Sequence, residues 1–446
     1  MLPVVGVPKT VQRLMRPYRD LFRRNEGFEY VSRYLTGLLV SPNKTLQGIY
    51  ATQVWEGNKP GYRAMHEAVF EAGWEAEELL PRHRGLIAPE HRNRGQEVIA
   101  LDWTLLHHDR GPHIYGTTRS YDYVERRMAR FQTMVTAVIA NRQVIDGIGV
   151  QIQEPDISKE EEGYLKVTVQ ASYEQMEQAR NRLLELLHYM KHQLAYKKRT
   201  EIVVEMVKQL EEEGNFPYAD YAFDNGVLTV DLTRLIESKG KHWVSEVESS
   251  RHILWKDEWQ RIDEVARELR QTHPESFRKV SVRCRNGERK EFWAFTKSVR
   301  LKRYGRKRIA MVHERSDLTD TPRFLVADAL HWESGRIIET WSFRWAAEVF
   351  HEFSKQGTGL EAAQVRNEEA VKRHLRLSCL AQSMLQRTPT VASTSEQFAF
   401  AKGEITFGQR CRALTREVFS ALLSVAHRLF AGGYSCEQVT QALMPA

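Results

Sequence analysis

A chain of 446 residues, 42% hydrophobic and 28% charged, is long enough for two or three domains and has the balance of a globular protein, which excludes wholesale disorder. No window approaches the ~18 uninterrupted apolar residues of a spanning helix, and the first residues lack an apolar signal core, so a cytoplasmic protein is expected. Cys284, Cys379, Cys411 and Cys436 are scattered without a CxxC pair, which argues against a cysteine zinc site and a disulfide framework.

The net charge of +7 is unevenly spread. Between Arg278 and Arg308 thirteen Lys or Arg face two acids, a local surplus of +11, so the rest of the chain nets −4. One segment therefore carries the whole basic excess, as expected of a surface that meets a polyanion.

In chain order, residues 1–95 read as helices with short breaks. Ser41-Pro42 has the form of an N-cap followed by Pro at the first helical position, opening a helix through Leu46 and Ile49. Arg13, Arg16, Arg19, Arg23 and Arg24 stud the first helical stretch, and Lys44, Lys59, Arg63, Arg82 and Arg84 follow. Such charges fit a solvated helical surface and a small helical DNA-binding module equally. From Glu97 the texture turns to strand. Val98-Ile-Ala-Leu101 is a short apolar run ending in Asp102-Trp103, and further β-like runs at 131–140 and 144–152 flank a turn at Asn141-Arg142-Gln143. His107, His108, Asp109 and His113 crowd around Arg110-Gly-Pro112, which reads as a polar loop before it reads as a metal site. Gly147-Ile-Gly149 is a fragment of a dinucleotide fingerprint in the wrong context.

Residues 173–198 and 200–213 read as helices, the second stopped by Gly214-Asn215. A strand at 218–223 ends at Asp224, with Asn225-Gly226 turning the chain; a helix at 229–238 and a strand at 242–247 follow. A helix is expected from Arg251 to Thr272, then basic, aromatic strands from Lys279 to about Ile338. Trp341–Lys355, free of Pro and Gly, reads as one helix with Arg344, Glu348, His351 and Lys355 on a single stripe and Trp341 at its edge. An amphipathic surface helix would show the same stripe. Residues 367–387 read as a helix, 388–404 as a polar linker, 405–430 as a long helix, and Ser435-Cys-Glu-Gln438 as a capping box opening a short last one.

Carboxylates at the ends of buried strands are costly unless they are paired or bind a cation. Asp102 and Asp224 sit in that position, and a glutamate from the last helix over the sheet would make three hard oxygen donors suited to Mg²⁺ or Mn²⁺. On these residues the chain resembles a DDE-type insertion-sequence transposase. In one branch of that family the final glutamate lies in Tyr-x2-Arg-x3-Glu-x6-Lys; this chain gives Trp341, Arg344, Glu348 and Lys355, so three of four match and Trp replaces Tyr. The likeness spans roughly 95–385.

The resemblance implies an α/β, ribonuclease H-like mixed sheet flanked by helices. It implies a helical N-terminal DNA-binding domain (1–95), a catalytic core (96–250 and 339–387) interrupted by a basic β insertion (251–338), a linker (388–404), and a helical C-terminal region (405–446) available for oligomerisation. Asp102, Asp224 and Glu348 become the expected catalytic residues and ligands of two Mg²⁺ or Mn²⁺ ions. The expected reaction is cleavage and strand transfer at terminal inverted repeats, with a hairpin intermediate as a weaker implication. Trp341, Arg344, Trp345 and Lys355 are expected to grip phosphate or stack on a base, helped in the insertion by Arg289, Lys290, Trp293, Arg300, Lys302, Arg303, Arg306, Lys307 and Arg308. Asp220 competes with Asp224 and Glu352 with Glu348, but the strand end and the signature favour the latter of each pair. The expected partners are DNA and a second copy of the chain, with no membrane and no small-molecule cofactor, in a prokaryotic, nucleoid-associated setting. The competing readings are a catalytically inactive DNA-binding derivative and another ribonuclease H-like nuclease.

Overall fold

The computed structural model describes residues 2–55, 59–93, 95–108, 111, 113–155, 180–187, 196–285, 287–362, 364–390 and 405–444. Most of the helix expected at 173–198 and most of the linker at 388–404 lie outside these residues. The helices named below are α1 (Lys9–Met15), α2 (Asn25–Val40), α3 (Leu46–Thr52), α4 (Tyr62–His66), α5 (Leu79–Arg92), α6 (Arg199–Glu213), α7 (Val230–Ser238), α8 (Ile262–Thr272), α9 (Ser334–Ser342), α10 (Trp345–Gly357), α11 (Glu368–Gln386), α12 (Phe407–Ala431) and α13 (Cys436–Leu443). The strands are β1 (Val98–His107), β2 (Thr118–Asp122), β3 (Arg127–Ala140), β4 (Ile145–Gln153), β5 (Asp220–Phe223), β6 (Trp243–Glu246), β7 (His252–Trp255), β8 (Glu258–Arg261), β9 (Arg278–Arg283), β10 (Arg289–Leu301), β11 (Gly305–His313) and β12 (Arg323–Ala327).

All twelve strands join one mixed sheet. Its spine runs β2-β3-β1-β5-β6-β12-β11-β10-β7-β8, with β4 beside β3 and β9 beside β10. β1, β5 and β6 are parallel, β3 runs against β1, and β4, antiparallel to β3, runs with β1 again, a ribonuclease H-like arrangement. The apolar run of β1 is buried on both faces because helices cover both. Ile99 and Leu101 pack in a core shared with Val203 and Val207 of α6 and Leu232 of α7. Val98 and Ala100 pack in a separate core with Ala346, Ala347 and Phe350 of α10. Strand alternation therefore sends Asp102 toward α10.

Gly147 and Gly149 have a packing role. An added Cβ would meet the Phe350 ring at 2.5 Å from Gly147 and the Met206 sulfur at 2.7 Å from Gly149. A register shift opposite Ala137 and Val138 turns the two glycines to opposite faces, so each lets one covering helix approach the sheet.

Several sequence expectations need correction. Ser41 does not open a helix; it closes α2, donating its N–H to the Gly37 carbonyl, and Pro42 bars continuation. The cap of α3 is Thr45, whose hydroxyl accepts the Gly48 N–H at 3.0 Å. The region from Arg251 is a β hairpin before it is a helix. Lys256 and Asp257 both adopt positive φ (49° and 66°), a tight turn joining β7 to β8, and α8 starts only at Ile262. The strands do not run to Ile338, since residues 334–342 are α9. β1 does not end at Asp102 but outruns β5 by six residues, and β2 follows the polar loop after it.

The single helix expected over Trp341–Lys355 is two. Between α9 and α10 the N–H groups of Phe343, Arg344, Ala346 and Ala347 each bond to the carbonyl three residues back. This 3₁₀-like tightening changes the residues per turn from ~3.6 to ~3.0 and rotates Trp341 off the Glu348 stripe. Buried Phe343 anchors the bend.

The basic β segment is continuous with the core sheet, because β12 pairs with β6. The N-terminal helices also share a core with α11, and Tyr34 bonds His374 across it at 2.8 Å.

Candidate active site

β1 and β5 lie parallel with Leu101 opposite Phe223, so the next residues, Asp102 and Asp224, come level with each other. Asp220 stands at the other end of β5, ion-paired with Arg336 at 3.0 Å. Asp224 is held by its own turn, its Oδ1 accepting the Gly226 N–H at 3.0 Å. Asp102 is 8% exposed and its Oδ1 accepts the Trp103 N–H at 2.8 Å. Burial, and then the charge of Asp224, push the Asp102 carboxyl up to about 7, against smaller opposition from Arg344.

Asp102, Asp224 and Glu348 line one open cavity of about 1160 Å³, together with Arg344, Trp345, His351, Glu352 and Lys355. The stripe expected on the helix therefore does face a cleft. Arg344 reaches two of the three carboxylates: its guanidinium hydrogen-bonds Glu348 and lies 3.8 Å from Asp102 Oδ2. Lys355 donates to the Leu105 carbonyl at 2.6 Å and pairs with Glu361 at 3.3 Å, which fixes the ammonium against β1. His351 is buried, and its Nε2 shares a 2.7 Å hydrogen bond with the Thr136 hydroxyl, which also lies 3.2 Å from the Asp102 carbonyl. Burial, then Lys355, lower its pKa to about 3, so it braces α10 against the sheet as a neutral ring.

Trp341 is absent from this cavity. It lines a neighbouring one of about 630 Å³ with Lys290, Phe292 and Arg323, and that cavity shares Arg344 and Trp345 with the first. Two guanidiniums flank the Trp341 ring, Arg323 at 4.4 Å and Arg344 at 5.6 Å from its centroid. Trp345 is 57% exposed.

The basic segment divides into two. The pairing register carries Arg289, Lys290 and Trp293 toward the end of the sheet where Asp224 lies, whereas exposed Arg300, Lys302, Arg303 and Arg306 crown the opposite end of the β10–β11 hairpin. Lys307 is not a surface cation: it is buried and paired with Glu237 at 3.0 Å. Arg308 is paired with Glu333 at 3.1 Å, and Trp293 packs against the core.

Sequence reading missed three features. The Arg199 guanidinium stacks 3.8 Å from the Trp103 ring centroid, and both residues wall the cavity. Asp122 and Glu125, from β2 and its turn, also line it. Long-range contacts without a local pattern leave no signal for these.

The donor set suits a hard divalent cation. Two acids come level where β5 ends beside β1, burial and then the charge of Asp224 already disfavour ionisation of Asp102, and a cation is the direct relief. The three carboxylates stand wider apart than the tightest donor group among the described residues, with the Arg344 guanidinium between Asp102 and Glu348.

Residues 17–156 match the family of DDE superfamily endonucleases. That match supports a DDE-type transposase catalytic domain. The matched stretch is less than half of the chain; it contains Asp102 and β1 to β4, and it begins among the N-terminal helices rather than at residue 95. Asp224 and Glu348 lie beyond it. No curated protein matches the chain. The family implies a nuclease-type enzyme that uses a divalent metal. No helix among the described residues is long and apolar enough to cross a membrane.

Proposed function

We propose that the protein is an insertion-sequence transposase of the Tyr-Arg-Glu-Lys branch, with Trp341 in the tyrosine position, which cuts DNA at terminal inverted repeats and joins the ends to a target. The observation that carries this reading is the convergence of Asp102, Asp224 and Glu348 on one open cavity beside a basic, aromatic second cavity.

Asp102, Asp224 and Glu348 would hold two Mg²⁺ or Mn²⁺ ions. Such ions, when bound, stabilise charge on a phosphodiester and lower the pKa of a water. The rest falls to the chain's own groups. Arg344 presents a fork that can pass from Glu348 to a DNA phosphate, and Trp341, packed against that guanidinium, limits where it can go. The loss of the tyrosine hydroxyl transfers its phosphate-binding duty to Arg323 and Arg344. Trp345, exposed between the two cavities, offers a face on which an unstacked base can rest, as a hairpin intermediate requires. Lys9, Arg13, Arg16 and Arg19 line a groove with Phe28 and Trp55, which suits the backbone of a duplex further from the cut. Transposition holds two ends together, and α12 exposes Phe419, Leu423 and Phe430, a surface available for a second copy.

The test is excision from DNA carrying the gene with both flanks. Mg²⁺-dependent release by the wild type, abolished by Asp102→Asn, Asp224→Asn or Glu348→Gln while DNA binding persists, is expected. Cleavage by any of these variants would remove the assignment. Binding without cleavage by the wild type would favour an inactive derivative, and cutting without strand joining another nuclease.

A further inference from the structure

A second donor cluster lies in the same cavity, away from the three carboxylates. His107 ends β1, Asp122 ends β2, and Glu125 sits in the turn between β2 and β3. One donor atom from each lies within 4.8 Å of the other two. His107 Nε2 is 2.8 Å from Asp122 Oδ2 and 3.9 Å from Glu125 Oε1.

Each donor also has a contact besides those between the three donor atoms. Asp122 is buried, and its Oδ1 accepts the N–H groups of Val124 (2.7 Å) and Glu125 (3.2 Å), which turns Oδ2 toward the imidazole. His107 is fixed by the β1–β3 ladder, where it faces Phe131. On its other side, Glu361 accepts the His107 N–H at 3.2 Å and stands 3.8 Å from Nδ1. Glu361 thus fixes the backbone at His107 and places a negative charge on the far side of the ring, beyond hydrogen-bond distance of Nδ1. Glu125 reaches the cluster with Oε1 while Oε2 is bound by Arg127.

We infer that His107, Asp122 and Glu125 form a second metal site, for a borderline divalent transition ion such as Zn²⁺. One imidazole and two carboxylates are a three-ligand set that leaves a fourth tetrahedral position open to the cavity. The imidazole separates it from the hard, all-oxygen set of Asp102, Asp224 and Glu348, which suits Mg²⁺. Five residue steps along β1 separate Asp102 from His107, roughly 16 Å of strand, so one ion cannot serve both. The ligands pin the β2–β3 turn to the end of β1. That turn carries Tyr123 and Val124, 84% and 88% exposed at the cavity wall, so a bound ion fixes where the tip stands. The site acts on the placement of the turn; no bond of the substrate is broken there.

Co²⁺ is the probe, because tetrahedral coordination gives it visible absorption. The full chain carrying Asp102→Asn, Asp224→Asn and Glu348→Gln should bind one Co²⁺ with that absorption, and Zn²⁺ should displace it. Adding His107→Gln should abolish the signal, and adding Glu125→Gln should weaken binding at least tenfold. Wild-type protein saturated with Mg²⁺ should show the same single Co²⁺ site, which covers misfolding of the triple variant. Chymotryptic cleavage after Tyr123 should slow on adding Zn²⁺ to wild type and not to His107→Gln. No visible Co²⁺ signal in either protein, or a signal unchanged by both added substitutions, would overturn the site. Neither result bears on DNA cleavage, so this site and the transposase reading fail separately.

Discussion

Replacing Asp102 by Asn removes a buried acid that the fold carries at a cost. Burial and Asp224 move its carboxyl from 3.8 to about 7. Because the folded value lies above the unfolded one, the folded state holds this proton more tightly. The associated stability is fully present below about pH 4, declines as pH rises between the two values, and is absent above about 7. The rise from 3.8 to about 7, at ~1.4 kcal/mol per tenfold change in proton affinity, makes the ionised carboxylate cost on the order of 4 kcal/mol at pH 8 in the absence of metal. Asn is nearly isosteric and carries no charge, so in metal-free protein Asp102→Asn should raise stability at pH 8 by a few kcal/mol and leave it nearly unchanged at pH 4. Urea unfolding followed by tryptophan fluorescence, at both pH values with chelator present, measures this directly. Excess Mg²⁺ should then close the gap by stabilising the wild type alone, since binding to the folded form adds RT ln(1 + [L]/Kd). An Asn variant that is destabilised, or shifted equally at pH 4 and pH 8, would refute the reasoning.

Arg387→Ala should cost about 3–5 kcal/mol, because it strands buried Asp146, paired with that guanidinium at 2.8 Å. Burial alone would raise the Asp146 carboxyl, but Arg387 and His91 hold it well below its usual value, so this stabilisation should fade only in strong acid, as thermal melts across pH would show. Gly147→Ala should destabilise by about 1–3 kcal/mol through its clash with Phe350, and a Gly147→Ala, Phe350→Leu double variant should recover part of that in the same unfolding assay. Removing Arg300, Lys302, Arg303 and Arg306 together should flatten the salt dependence of DNA binding, each lost phosphate contact lowering the slope by ~0.9, whereas Lys307→Ala should leave the slope unchanged and reduce stability. Leu423→Asp, at an exposed position, should shift light-scattering mass on DNA from dimer to monomer while leaving the melting temperature of the free chain unchanged.

The parts of the fold that repeat locally were legible in the sequence. The doubly buried run at Val98–Leu101, the Gly214 stop with φ of 63°, and the capping box at Ser435 all appear where their residues indicate, because each depends on neighbours within a few positions. What failed depended on geometry that sequence distance hides. The tight turn at Lys256-Asp257 uses positive φ at residues that rarely adopt it, so β7 and β8 looked helical. The bend at Phe343 keeps helical dihedrals and changes only the hydrogen-bond spacing, so a continuous 100° stripe placed Trp341 beside Glu348 when the two face different cavities. At the site, Asp102 and Asp224 stood out at strand ends, and Arg344 and Glu348 were added by the resemblance to the transposase signature. The acid that meets His107 could not be read, because Asp122 arrives from β2, a strand lost within a polar stretch.

The central claim is that Asp102, Asp224 and Glu348 act together in metal-dependent DNA cutting, and end-labelled DNA carrying both flanks of the gene tests it most directly. Cleavage at the element's ends in Mg²⁺, absent in chelator and absent from each single variant that still binds the DNA, is the predicted result. Cleavage that survives loss of any one carboxylate would contradict it.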